Sequence, residues 1–279
     1  MDVMLANSNP HFLRSSILPF ELRYSSNSSA CYKKHTHQEF SIGVVDSGIS
    51  EYFNQNKKQT ISPGSTVIVN PEEVHSCNPQ KGTNWSYKML YVEPEWIAKL
   101  QSQILNDNNN TFRPFQITHT DCPFIYRGFQ SLSHTLIEDE SKIKVEQTAI
   151  NFFSELILKD TNNPSLNVIS KKAIDCAYQY ISDNFDKNIS ISEIAEVSGL
   201  SDFYLIHSFR KQYGITPHAY QIVMRINKAK SLLKNGENIA SIATDLGFTD
   251  QSHFHRNFKS VVAATPKQYK ASKSSSINN

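Results

Sequence analysis

The feature that most constrains the fold of this chain is an internal repeat in its C-terminal third. Residues 194–202 return 48 positions later as residues 242–250, with an Ile-Ala pair, a glycine and an aspartate at matching places. After one inserted residue the offset becomes 49, and Thr216-Pro217 then corresponds to Thr265-Pro266. A period of this size predicts that one supersecondary unit is built twice.

Each copy of the repeat predicts two helices joined by a tight turn. Gly199 and Gly247 follow the first helix, where a left-handed backbone costs glycine least. Asp202 and Asp250 are expected to cap the second helix, because a carboxylate can accept the free N–H groups of a helix start. The residues expected to face the core lie four apart in that helix, Leu205 with Phe209 and Phe254 with Phe258.

The opposite face of each second helix is predicted to be free. An exposed helix face that bears arginine, glutamine or histidine can enter the major groove of DNA and contact base edges. The residues on that face are Ile206, His207 and Arg210 in the first copy and Gln251, Ser252, His255 and Arg256 in the second.

A long helix is predicted between the two copies, from about Pro217 to Lys234, with the proline in its first turn. At 1.5 Å per residue, ~17 residues span about 26 Å, which is close to the ~34 Å of one duplex turn. The chain from Leu166 onward carries a formal charge of +5, whereas the part before it carries −3. The C-terminal part is therefore the one suited to double-stranded DNA.

The N-terminal half has a different pattern. Short apolar runs with turn residues between them predict strands up to about Thr120, among them residues 40–45, 66–69 and 85–91. After about Phe124 the apolar residues recur at three and four positions, which predicts two amphipathic helices. The whole pattern predicts an α+β protein with a β-rich domain followed by an all-α domain.

Residues from about 189 to 269 resemble the DNA-binding domain of the AraC/XylS family of transcription regulators. The resemblance covers both helix-turn-helix units and the linking helix, including Arg225. The chain departs from the family at His207, where arginine is common, and at Ala263, where glycine usually closes the second unit. By position, the resemblance implies base contacts for Phe203, Ile206, His207, Gln251, Ser252, His255 and Arg256, and phosphate contacts for Arg210 and Lys259.

The stretch from about residue 20 to residue 92 resembles the cupin-type effector domain of many members of this family, through the runs 35–39, 63–64 and 70–75. The resemblance implies a β-barrel that holds a small polar effector such as a sugar or an amino acid. The residues that it makes candidates for effector binding are His35, His37, Glu39 and His75, with Tyr52, Trp85 and Tyr87 as apolar walls.

The histidines also raise an alternative, a metal-dependent cupin enzyme that carries an accessory DNA-binding module. His35 and His37 would point to one side of a strand, and neutral imidazoles bind zinc, iron or nickel. Glu39 lies earlier than the glutamate of metal cupins, so we expect no metal, no cofactor and no enzymatic activity. The cysteines Cys31, Cys77, Cys122 and Cys176 form no close pair and predict reduced thiols.

The predicted architecture is a two-domain α+β protein, in which a cupin-like β-barrel with two helices precedes an all-α tandem helix-turn-helix domain. The expected boundaries are an effector-binding domain at 1–120, a helical dimerisation segment at 121–160, a linker at 161–168, a DNA-binding domain at 169–271 and a disordered tail at 272–279.

The predicted function is sequence-specific regulation of transcription in response to a small-molecule effector. The usual mode of the family favours an activator that assists RNA polymerase. The apolar residues Phe152, Phe153 and Leu156 favour a homodimer, since they are a large apolar load for a surface helix. The polar N-terminus and the lack of a long apolar run predict a cytoplasmic protein without a membrane partner.

Overall fold

The computed structural model describes residues 10–54, 57–107, 109–138, 140–161 and 171–271. The chain divides into two units, one formed by Met1–Asp139 and Thr148–Leu166 and the other by Glu140–Gln147 and Asn167–Asn279. The expected linker at 161–168, apart from Thr161, and the expected tail at 272–279 lie outside the described residues. Within the described ranges, no helix is long and apolar enough to cross a bilayer.

The strands of the first unit form two antiparallel sheets. Pairing runs in the order β1-β2-β8-β3-β6-β9 in the larger sheet and β5-β4-β7 in the smaller one. The described strands are β1 (His11–Arg14), β2 (Phe20–Ser28), β3 (Phe40–Ser47), β4 (Ser50–Asn54), β5 (Lys57–Ile61), β6 (Thr66–Val69), β7 (His75–Pro79), β8 (Trp85–Val92) and β9 (His119–Thr120).

The α+β class and the strand-rich first domain are confirmed, but the sheets do not close into a barrel. Closure needs the edge strands of the two sheets to hydrogen-bond to each other all round. The ladders stop short of this, and His35 joins β7 only through a single isolated bridge at His75. Apolar side chains fill the space between the sheets instead, and they include Val45, Tyr52, Val67, Trp85 and Tyr87.

Helices cover the other face of the larger sheet. The first unit contains α1 (Pro94–Leu105) and α2 (Pro123–Ile137), and α3 (Lys142–Thr161) contributes its later residues. The Phe20 ring lies 5.0 Å from Trp96 and 5.8 Å from Phe153, measured between ring centroids. Our sequence analysis missed α1, although Pro94 at its start and buried Ile97, Leu100 and Ile104 carry the helical spacing.

The apolar load that favoured a dimer is buried inside this unit. Phe152, Phe153 and Leu156 are at most 5% exposed. The Phe152 ring packs 6.0 Å from Phe129 and the Phe153 ring packs against Phe20. The premise that these residues lie on a surface helix is therefore wrong, because the sheet and α2 already cover them.

The second unit is helical throughout its described part. The linking helix has the bounds that the sequence predicted. The helices after residue 170 are α4 (Lys171–Asp183), α5 (Ile191–Ser198), α6 (Asp202–Tyr213), α7 (Pro217–Lys234), α8 (Ile239–Asp245), α9 (Gln251–Val262) and α10 (Pro266–Ala271).

The two copies of the repeat start their second helices differently. Asp250 caps α9 as predicted, since its carboxylate accepts the N–H of His253 at 2.7 Å. In the first copy the cap is Ser201, whose hydroxyl accepts the N–H of Tyr204, and not Asp202. The prediction for Asp202 is wrong because the serine one residue earlier occupies the cap, which leaves Asp202 to accept a hydrogen bond from Ser192.

Candidate nucleic-acid interface and effector site

The second recognition helix, α9, presents a polar face. His255 is half-buried, whereas the other residues predicted for that face are exposed: Gln251, Ser252, Arg256 and Lys259. The opposite face is anchored by Phe254 and Phe258, which are both 0% exposed. The N–H groups at the helix start hold the pKa of Asp250 below its usual value, so the cap stays ionised. This helix can therefore offer hydrogen-bonding side chains to a groove while its core face stays fixed.

A buried arginine holds the turn that precedes α9 in place. Arg225 of α7 donates from Nε to the Phe185 carbonyl at 2.6 Å, from Nη1 to Gly247 at 2.5 Å and from Nη2 to Lys187 at 2.9 Å. Its guanidinium also lies 5.5 Å from the centroid of the Phe248 ring. Burial lowers the pKa of Arg225 to about 10, which still leaves it charged at neutral pH.

Gly247 makes this arrangement possible. Its φ of 69° lies in the left-handed region, and a Cβ there would collide with the Asp186 carbonyl and with Arg225. The Arg225 side chain thus holds the turn of the second helix-turn-helix copy against the loop before α5. The resemblance pointed to Arg225 without giving its role, which depends on carbonyls from two separate loops.

The first recognition helix, α6, is enclosed at its start. Four consecutive residues, Phe203, Tyr204, Leu205 and Ile206, are buried. Successive residues of a helix are about 100° apart, so four in a row leave no exposed face at that turn. The prediction that Ile206 lies on a free face is wrong in this structure, because its side chain is 2% exposed. Neither Phe203 nor Ile206 can reach a base edge while it is enclosed.

The later part of α6 is more open. Arg210 is exposed, and His207 is half-buried with its Nδ1 3.0 Å from the Phe203 carbonyl. At the offset of 49, Phe203 corresponds to Ser252 and Ile206 corresponds to His255. The two recognition helices therefore differ in chemistry at the same positions, with apolar and enclosed side chains in α6 and polar side chains in α9.

The candidate effector residues come together in the first unit. The ring centroid of His75 lies 4.4 Å from that of His35 and 4.8 Å from that of His37. Glu39 stands beside this histidine cluster, with a carboxylate oxygen 3.9 Å from Nδ1 of His37. Among the described residues, no three His, Cys, Asp or Glu side chains form a group that could hold a metal ion.

Each histidine of the cluster is oriented by a backbone carbonyl. Nδ1 lies 2.8 Å from the Lys33 carbonyl in His35, 2.8 Å from the Glu39 carbonyl in His37 and 2.9 Å from the Glu73 carbonyl in His75. A carbonyl can only accept, so Nδ1 carries the proton and Nε2 remains an acceptor in a neutral ring. Burial lowers the pKa of His37, and it lowers the pKa of His75 to about 4. These two rings are therefore neutral acceptors near pH 7.

An arginine that the sequence analysis missed lies on the adjoining face of the sheet. The Arg23 guanidinium is 4.7 Å from the centroid of the Tyr32 ring and 5.9 Å from that of Tyr87, and it donates to the Tyr32 hydroxyl. The Nε–H of Arg23 and the Nε1–H of Trp85 are buried without an acceptor among the described residues. Only the strand register reveals this grouping, because Arg23 lies on β2 and Tyr87 on β8.

The first unit contains a cavity of about 420 Å³, and of the residues predicted to bind the effector Glu39 is the one that lines it. Its size falls within the range of small-molecule sites. Glu39 lines it together with Tyr91, whose ring is 5.3 Å from that of His37. Its lining also includes the apolar side chains of Phe12 and Leu18 and the charged side chains of Arg14 and Glu21.

Comparison with known proteins matches two separate parts of the chain to two families of domains. Residues 19–152 match the AraC-like ligand binding domain, and residues 194–272 match a helix-turn-helix domain. An HTH-type transcriptional regulator of Bacillus subtilis, YbfI, is 28% identical over 229 residues, which cover 80% of this chain and 81% of that protein.

Two regulators of Escherichia coli are similar over comparable lengths. The arabinose operon regulatory protein is 29% identical and covers 81% of this chain and 78% of its own. The melibiose operon regulatory protein is 23% identical and covers 85% and 82% respectively. All of these relatives are regulators, which supports the regulator over the metal-dependent enzyme. With an effector-binding domain of this type and a tandem helix-turn-helix domain, the chain belongs to the AraC family of DNA-binding transcription regulators.

Proposed function

We propose that this regulator reads its DNA site mainly through α9 and activates transcription when an effector binds its first unit. The observation that carries the proposal is the face of α9, where Gln251, Ser252 and Arg256 are exposed above a fixed apolar core. Gln and Arg side chains make bidentate contacts with adenine and guanine edges in the major groove. Most discrimination by hydrogen bonding then falls to the half of the site that α9 contacts.

Two substitutions on α9 test this assignment. Arg256→Ala is expected to cost ~1–3 kcal/mol of binding to a specific site and little on unrelated duplexes, because it removes a base contact. Lys259→Ala is expected to weaken binding to all duplexes evenly and to lower the salt slope by about one unit, as the loss of a phosphate contact does. Affinities are measured over a salt series on a duplex selected from the DNA that flanks the gene.

Lys81→Ala, at an exposed position in the first unit, is the control and should leave both affinity and salt slope unchanged. An equal loss on specific and unrelated duplexes for Arg256→Ala would contradict base contact by that residue.

We propose that the effector is a neutral molecule rich in hydroxyl groups, such as a sugar. Hydroxyl groups can donate to the Glu39 carboxylate and to Nε2 of His37, which now lies 3.3 Å from the Ser41 hydroxyl, and they can accept from donors such as Arg23. The residues that line the cavity include three carboxylates, Glu21, Glu39 and Glu93, against one cation, Arg14, which disfavours a negatively charged effector there. The arabinose and melibiose operon regulators, named for sugar operons, support the same class.

Thermal unfolding with added sugars tests the effector. A sugar that binds only the folded chain raises the unfolding temperature, because binding adds RT ln(1 + [L]/Kd) to the free energy of unfolding. We expect His37→Ala to abolish the shift, whereas His134→Ala, at an exposed position on α2, should retain it. A shift of equal size in both variants would remove His37 from the site.

The remaining parts of the proposal follow from the family. Activation by contact with RNA polymerase and assembly as a homodimer are the usual modes of these regulators, and we extend them to this chain. DNA binding supports a cytoplasmic location, and the regulator relatives support a protein without enzymatic activity. Footprinting beside the gene, with and without a stabilising sugar and polymerase, tests the activator role.

A further inference from the structure

A short stretch of the second unit, residues 140–147, contacts helices of both copies of the repeat. The Ile191 N–H of α5 donates to the Glu146 carboxylate at 2.6 Å, and the His218 N–H of α7 donates to the Gln147 side chain at 3.2 Å. Nε2 of His253 in α9 lies 3.5 Å from a carboxylate oxygen of Glu140. We call this stretch the acidic segment after its contacting glutamates, Glu140 and Glu146, although Lys142 and Lys144 leave it without net charge.

The contact at Ile191 takes up a group that DNA would otherwise use. Ile191 is the first residue of α5, and its N–H has no partner within the helix. The capping box of Ser190 and Glu193 serves the neighbouring N–H groups, not this one. Free N–H groups at a helix start bind phosphate oxygens in protein–DNA complexes. The Glu146 carboxylate therefore binds an N–H group of the kind that contacts phosphate in such complexes.

The N-terminal residues of α6, close to Glu146, are buried as well. Glu146 is close enough to Asp202, at the first residue of α6, for the two charges to affect each other. The residues that follow Asp202 are the four enclosed ones, 203–206. A recognition helix contacts bases through its N-terminal residues, so the end of α6 that would enter a groove is the closed end.

We propose that the acidic segment is a built-in competitor of DNA for the first helix-turn-helix unit. In this state Glu146 holds the start of α5 in the first helix-turn-helix unit, whereas Gln251, Ser252 and Arg256 on α9 of the second are exposed. The apolar side chains of Phe203 and Ile206 fit this role, because they are stable when covered by protein and costly when exposed to water. DNA binding by the first helix-turn-helix unit requires the acidic segment to leave Ile191.

The acidic segment also has a route to the effector unit. It forms the start of α3, whose later turns belong to the first unit and pack through Phe153 against Phe20. A shift of α3 caused by effector binding would therefore move Glu146 along with it. This consequence rests on the proposed function, whereas the contact itself does not.

The test compares Glu146→Ala with the wild type in the full chain. Without the carboxyl group, we expect the affinity for a random-sequence duplex long enough for both helix-turn-helix units to rise about tenfold, the equivalent of ~1.4 kcal/mol, which one hydrogen bond can supply. Hydrogen exchange at the start of α5 should become faster in the same variant without DNA. Gln147→Ala, which loses the contact with His218, should act in the same direction in case Glu146→Ala impairs folding.

Glu155→Ala is the matched control, because Glu155 is an exposed glutamate on the same helix. It should change neither affinity nor exchange. Unchanged exchange at α5 in both Glu146→Ala and Gln147→Ala would overturn the proposal, whatever the DNA measurements show. Faster exchange with lower duplex affinity would also overturn it, because the acidic segment would then support the DNA-binding conformation. Faster exchange in a chain that binds no duplex would refute DNA binding and not the contact.

Discussion

Ala263 has a backbone conformation that suits glycine better than a residue with a side chain. It ends α9 with a φ of 59°, in the left-handed region, and its N–H donates to the Lys259 carbonyl at 2.9 Å. The equivalent residue of the first copy, Gly214, ends α6 in the same region with a φ of 76°. The sequence predicted a strained or differently capped end at Ala263, and the structure confirms the strained one. A residue with a Cβ pays ~1 kcal/mol for this conformation, which glycine avoids.

Ala263→Gly should therefore stabilise the second unit by up to ~1 kcal/mol, since the strain goes while the hydrogen bond to Lys259 remains. Chemical denaturation of the two proteins measures the difference. Ala240→Gly, within α8, makes the same chemical change in an ordinary helical conformation and should lower the stability. A loss of stability in Ala263→Gly as well would show that the flexibility of the unfolded glycine outweighs the strain.

At the scale of the elements, the sequence predicted the helices of the second unit better than their exposure. Glycine, proline and apolar spacing are local signals, so α7 has the predicted bounds and α9 has the predicted face. The enclosure of α6 has no local signal. Nearby contacts such as that of Ile191 with Glu146 join residues 45 positions apart in the sequence, which no local pattern reveals. In hindsight, the apolar residues at Phe203 and Ile206, where α9 has Ser252 and His255, were the available hint.

In the first unit, too, contacts between residues distant in sequence could not be predicted. Strand positions could be predicted from alternation, but the pairing of β2 with β8, and with it the place of Arg23 beside Tyr87, depends on long-range register. The histidine cluster could be foreseen in part. The two-residue spacing of His35 and His37 was visible, whereas the bridge to His75 spans 40 positions. Open sheet edges in place of a closed barrel likewise depend on hydrogen bonds that no single strand encodes.

Across the whole molecule, the contact of Glu146 is one whose strength a proton can change. Burial raises the pKa of Glu146 from its ordinary value of 4.5 to about 7. The groups that face it are Lys142 on its own helix, the Ile191 N–H and Glu193 on α5, and Asp202 on α6. The N–H and Lys142 favour the charged form, whereas burial and the two carboxylates favour the neutral one. A protonated carboxyl can still accept from Ile191, so protonation keeps the contact and removes a buried charge.

The sign of the pH dependence follows from this. The pKa of Glu146 is higher in the closed state than in the open one, so closing takes up a proton. Closure is therefore strongest below about pH 4.5 and weakens as the pH rises through about 7. We therefore expect closure to weaken, and the affinity for a duplex to rise on this account, from about pH 6 to about pH 8. In Glu146→Gln, which keeps an acceptor without a titratable charge, this component should vanish. Subtracting the variant's pH profile from that of the wild type isolates it, and a flat difference would mean that Glu146 does not titrate on closing.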